Sequence, residues 1–206
     1  LPILTAIIGN CVQEVDQRIA QESVSRLVRP ESDICTPAEF ALILLRNESK
    51  LGLKRTVDCI QVCLSLNAQF NQSVWTQVLQ SAFEFTPLPM SFMRTLIQAV
   101  TLHKGVGGGT LQQTCISILS KLVLRKVWQQ PTQWEGFIRS VRILLPNSLP
   151  IVIQLPIDPF RELVDKIDSL VIPLKQYINQ QPPSLQHRLA QQSSILERAA
   201  IQIEKN

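Results

Sequence analysis

The sequence predicts an all-α protein, and three observations carry that prediction. Apolar residues recur with a helical period in one segment after another. Helix-start signals stand where several of those periods begin. The one run that reads like a strand, Leu149 to Leu155, is chopped by Pro146, Pro150 and Pro156. Proline cannot donate to a ladder, so one short helix is expected there instead.

In chain order, Thr36-Pro37-Ala38-Glu39 has the form of a capping box: a Thr oxygen for an orphan amide, a Pro that fits the first turn and a Glu that reaches back. Leu53, Val57, Ile60 and Leu64 form one apolar helical stripe. Asn71 or Ser73 caps the next helix, whose double row is Val74, Trp75, Val78, Leu79, Ala82 and Phe83. Met90, Phe92 and Met93 are read as core rather than a ligand box, with Arg94, Thr95, Gln98 and Thr101 as the wet side. A helix over Thr114 to Gln129 is apolar round more than half its circumference, through Cys115, Ile116, Ile118, Leu119, Leu122, Val123, Leu124 and Val127, so neighbours should cover most of it. Lys126 falls within that arc near the helix end, its stem on the core and its ammonium at the terminal carbonyls. Trp134, Phe137, Ile138, Val141, Leu144 and Leu145 mark a further helix. Asp158-Pro159 repeats the cap-then-proline arrangement before Phe160, Leu163 and Val164. From Gln180 onward Gln and Ser replace most apolar residues, which suggests one long outlying helix.

About ten helices with short links of about two to six residues favour antiparallel neighbours. No sequence repeat stands out at a period of about 33 to 47 residues. The architecture expected is therefore an irregular HEAT/ARM-like helical solenoid. Residues 1–181 are expected to form the helical-repeat domain, and 182–206 a Gln-rich helix or tail.

Composition narrows the function. At 206 residues the chain can bury roughly 70% of its unfolded surface, so it needs no disulfide or metal to fold. Hydrophobic residues make up 45% and charged residues 17%, which is globular rather than disordered. The mean hydropathy of +0.12 suggests broad apolar faces, one of them open to cover by a partner. No apolar run approaches the ~20 residues of a membrane span. Leu1 to Ile8 is apolar but lacks a basic flank and a following cleavage site, so no secretion signal is expected there. Five cysteines, an odd number, are expected to be reduced thiols inside the cell. A net charge of +4 and a pI near 8.9 fall short of a dedicated nucleic-acid binder.

Candidate chemistry is sparse. Cys59 and Cys63 stand one turn apart, but a structural zinc site needs four ligands and no second pair has a usable spacing, so packing is expected. His103 and His187, the only histidines, have no local nucleophile or carboxylate partner. Gly105 to Gly109 resembles a phosphate loop but follows a helix and lacks the closing Gly-Lys-Ser/Thr, which leaves an interhelical turn. No residue is assigned as catalytic, metal-binding or cofactor-binding. One feature invites a partner: Lys121, Arg125 and Trp128 stack as a basic-aromatic stripe along the polar strip of their helix. It reads either as a docking edge for an acidic or aromatic segment, or as a solvated strip with Trp128 packed into the next helix. Glu135 and Arg139 form an i, i+4 pair. Arg139 and Arg142 join the stripe as candidate partner-binding residues, and the same cations motivate direct RNA binding as the alternative reading.

Longer words are legible between Pro87 and Pro156. These are Pro87-Leu-Pro-Met90, Met93-Arg-Thr95 with Ile97-Gln98, and Ile118-Leu-Ser-Lys-Leu122 through Lys126-Val-Trp128 and Pro131. Trp134-Glu-Gly-Phe-Ile138 and Ser148 with Val152-Ile-Gln-Leu-Pro156 complete the set. In this order, and with the capping box at Thr36, they resemble the C-terminal region of the symplekin family, over about residues 36 to 178. The chain departs from the family pattern at Gly105 to Gln113. The resemblance implies a non-catalytic, cofactor-free nuclear scaffold of pre-mRNA 3′-end cleavage and polyadenylation. It also implies binding to the C-terminal domains of the metallo-β-lactamase-type endonuclease and its inactive paralogue, alongside other cleavage and polyadenylation factors. It leaves direct RNA contact open.

Overall fold

The computed structural model describes residues 17–28, 35–103 and 109–203. Among them there are thirteen α-helices, one 3-10 turn and no strand, so the predicted all-α class is the one found. The helices group into two compact units that divide at Ile118/Leu119.

The first unit holds α1 (Gln17–Leu27), α2 (Pro37–Arg46), α3 (Glu48–Leu51), α4 (Leu53–Ser65), α5 (Gln72–Phe83) and α6 (Phe92–Leu102), and the start of α7 (Thr110–Leu124). The capping box forms as read: the Glu39 amide donates to Thr36 Oγ1 at 3.2 Å and the Thr36 amide to Glu39 at 2.8 Å. Those bonds, backbone first, hold the Glu39 carboxyl below its ordinary 4.5. Asn71, not Ser73, caps α5, accepting from the Val74 amide at 3.1 Å. Helix α2 packs on α3, α4 and α5, and α4 on α1 and α6. Their shared core contains Phe40, Leu44, Ile60, Phe70, Trp75, Phe83, Phe92 and Leu96, all sealed from water. Phe70 tilts against Trp75 at 5.8 Å, and Phe83 against Phe92 at 6.2 Å.

The wheel reading needs two corrections here. Met90 is not core but 53% exposed, because it lies in the turn before α6, where helical phase does not apply. Thr95 is not on the wet side: it is buried, its hydroxyl donating to the Ser91 carbonyl at 3.0 Å and so losing its need for water. Of the Gly105 to Gly109 turn, all but Gly109 lies outside the described residues.

The second unit continues α7 and adds the 3-10 turn Val127–Gln129, α8 (Pro131–Ile143), α9 (Leu149–Val152), α10 (Ile157–Lys166), α11 (Asp168–Asn179), α12 (Pro183–Arg188) and α13 (Ala190–Ile203). The proline-cut run becomes the short helix α9, as expected. Helix α10 starts at Ile157 after Pro156, so Asp158 lies in its first turn and makes no side-chain cap bond. The Gln-rich stretch is two helices rather than one outlying helix. Helix α13 lies on α10 and α11, with Leu189, Gln192 and Leu196 buried. Leu189 sits just before α13, and Gln192 and Leu196 follow it at helical spacing, so one face of the helix is buried.

Candidate partner-binding site

The five cations and aromatics singled out by sequence all fall in the second unit, on elements with different fates. Helix α7 stops at Leu124, earlier than the expected Gln129. Lys126 takes the left-handed conformation, φ 54°, which ends a right-handed helix, and its amide donates to the Val123 carbonyl at 3.0 Å in a tightened last turn. Lys121 and Arg125 remain one turn apart, since the Arg125 amide still donates to the Lys121 carbonyl at 3.0 Å. Both side chains are exposed.

Trp128 does not continue their row. It sits in the 3-10 turn, half-buried, and that turn packs on α8. The basic-aromatic stripe is therefore a pair of cations followed by a bend. Lys126 is exposed in the bend and not laid over the core, and Leu124 is 78% exposed rather than wrapped, because the arc calculation assumed a helix that does not extend that far.

Helix α8 carries the other two. Trp134 and Phe137 stack at 5.2 Å with their planes 18° apart, anchoring the inner face. Arg139 and Arg142 point outward from the opposite face. Arg139 Nε donates to Glu135 Oε1 at 3.3 Å, with 69% and 49% of the two side chains exposed. At that exposure the pair contributes a few tenths of a kcal/mol, since solvent screens it.

Glu135 also faces Lys166 Nζ of α10 at 3.5 Å, and Lys166 meets Glu162 at 3.0 Å. Lys166 thereby holds the Glu162 carboxyl below its ordinary value, and Glu162 holds the Lys166 ammonium above its own. The indole of buried Trp134 adds a smaller lowering at the same Glu162 carboxyl. The structure thus yields two cation pairs, Lys121 with Arg125 and Arg139 with Arg142, and a charge ladder from α8 to α10. Sequence reasoning found the Glu135–Arg139 step but missed Lys166, which is 31 residues away and carries no local signal.

The remaining candidates resolve as packing. Cys59 and Cys63 are buried on α4, and desolvation, then the neighbouring Cys59, pushes the Cys63 thiol well above 9.0. Burial likewise pushes Cys115 up to about 12. Such thiols stay protonated at neutral pH, whereas the thiolate is the nucleophile. His103 is half-buried at the end of α6, and His187 is exposed on α12. Among the described residues, no three His, Cys, Asp or Glu side chains gather as a metal site.

Compared with known families, residues 1–167 match the family model described as symplekin tight junction protein C terminal. The match takes in the first 35 residues, where the quoted motifs are silent, and ends within the α10–α11 link. No solved structure matches the chain.

Proposed function

The chain belongs to the symplekin C-terminal family, which carries a scaffold role in pre-mRNA 3′-end processing, and from that premise we propose that it is a non-catalytic nuclear docking module. Its partners in this reading are the C-terminal domains of the metallo-β-lactamase-type cleavage endonuclease and of its inactive paralogue. The observation that carries the reading is the family match over residues 1–167. Two features agree with it. Arg139 and Arg142 stand exposed on α8, whose inner face is buried through Trp134, Phe137 and Val141, and Lys121 and Arg125 stand exposed beside buried Leu119, Leu122 and Val123. The buried thiols of Cys63 and Cys115, kept protonated, offer no activated nucleophile.

Co-expression with the two C-terminal domains, followed by size-exclusion chromatography in moderate salt, is the direct test. Stoichiometric co-elution is expected. The double variant K121E/R125E should reduce the captured endonuclease about tenfold, with helicity unchanged by circular dichroism. Separate elution of well-folded components would sink the reading, and unchanged capture by the variant would remove Lys121 and Arg125 from the interface.

A second reading, direct RNA contact, rests on Lys121, Arg125, Arg139 and Arg142 and on the pI near 8.9. Binding through phosphates weakens steeply with salt, so an RNA that fails to bind at low salt rejects it.

A further inference from the structure

Helix α13 does more than cover α10. Leu189, Gln192 and Leu196 are buried, but the adjoining face of α13 stays open. Ile195, Arg198 and Ala199, at i, i+3 and i+4, line one wall of an open groove of about 460 Å³ together with Ile201 and Gln202. Arg161 and Asp165 of α10, one turn apart, line the same groove.

The charges in the groove are unspent. Arg161 and Asp165 have the i, i+4 spacing of a helical ion pair. Neither they nor Arg198 enters any of the described ion pairs, which are Arg26 with Glu22, Arg139 and Lys166 with Glu135, and Lys166 with Glu162. Two guanidiniums against one carboxylate leave a net positive site, and Ile201, an aliphatic side chain 52% exposed, stands beside it. A guanidinium pairs best with a planar carboxylate, while the isoleucines call for an aliphatic cover. A sugar-phosphate chain would meet Asp165 as a like charge and find nothing to place on Ile195 or Ile201. One chemistry answers both halves of the groove: a peptide helix with acidic and aliphatic residues on the same face.

We propose that the α10–α13 groove docks an acidic amphipathic segment of a partner protein, its carboxylates held by Arg161 and Arg198 and its aliphatic side chains laid on Ile195, Ala199 and Ile201. The family match ends at residue 167, so Arg161 and Asp165 lie within it and the α13 wall beyond it; the scaffold reading assigns no role to either wall, and the proposal stands on the groove's own charges and apolar side chains.

The test is fluorescence anisotropy on the full chain. The probe is a labelled peptide of about 16 residues with glutamates and leucines at helical spacing on one face. Micromolar binding is expected, weakened about tenfold when the glutamates become glutamines, and equally when the leucines become serines. The variant R161E/R198E should cost at least as much, whereas the equally charged change K54E/R94E, at exposed positions of the first unit, should leave affinity unchanged. Should charge reversal disturb the fold, Ala199→Trp fills the groove without altering charge and should also block the probe. Absence of binding overturns the proposal, as does equal affinity for the serine peptide or for polyuridylate, either of which reduces the site to non-specific electrostatics. Binding undiminished in both R161E/R198E and Ala199→Trp overturns it too. A homodimer that R161E/R198E dissociates would make the occupant a second copy of this chain instead.

Discussion

Trp134 shows how one side chain can be read correctly for want of alternatives. It opens the Trp134-Glu-Gly-Phe-Ile138 word and the inner row of α8, and is 4% exposed, stacked on Phe137. Truncation would remove the largest ring of that unit's core and leave a cavity beside Phe137. Trp134→Ala should destabilise by roughly 3–5 kcal/mol in urea unfolding. A loss of a few tenths would mean that the site collapses freely or that the ring is replaceable. Lys126 is the opposite case. Its apolar-arc position said core, yet its left-handed backbone, φ 54°, ends the helix and turns it out to water. A non-glycine residue costs roughly 1–2 kcal/mol in that conformation, so no propensity argument would place it there. The packing of the following turn on α8 requires the bend.

At the scale of elements, starts were more legible than ends. The capping box at Thr36 is written in four adjacent residues and forms as read, and of the two caps the sequence offers at α5, Asn71 and Ser73, the structure uses Asn71. The start of α6 is capped from elsewhere. Glu48, on the one-turn helix α3, accepts from the amides of Met90 and Ser91 at 2.8 and 2.9 Å and from the Ser91 hydroxyl. A carboxylate at a helix N-terminus satisfies orphan amides and complements the helix dipole. The charge-assisted bonds tie α3 to the Pro87–Met90 turn. Glu48→Ala should therefore lower stability by about 1.5–3 kcal/mol, read as a shifted urea midpoint at constant slope. A change within about 0.5 kcal/mol would show that water replaces the carboxylate without loss. Nothing near Glu48 in sequence announces this role, since its partners lie 42 and 43 residues on.

Across the whole molecule, thiols are stored neutral in a helical core, and this sets an alkaline limit on stability. Cys63 and Cys115 would titrate near 9.0 in the unfolded chain, but burial raises both, Cys115 to about 12. Above about pH 9 the native state binds more protons than the unfolded state. The stabilisation is thus whole below pH 9 and drains as pH climbs toward the native values, by up to about 1.4 kcal/mol per unit for each thiol. Urea midpoints between about pH 8 and pH 10.5 should fall with a slope that Cys115→Ala makes shallower. Identical slopes for the two proteins would show that Cys115 ionises as freely folded as unfolded.

The sequence by itself determined the helical class, the capping box at Thr36, most of the buried rows and the family, because each of these is written within one turn or in one ordered set of words. It also placed Lys121 and Arg125 on a strip that must face water or a partner, since a buried cation is costly, and singled out Arg139 and Arg142 as candidates beside them. The tertiary structure alone decided where α7 ends, that Trp128 leaves the stripe, that Glu48 caps α6, and that α13 returns to α10 to open a groove. Each of those depends on residues at least a helix apart being brought together by burial. Area removed from water is roughly additive over contacts, and it can overrule the small conformational preferences by which a local pattern is read.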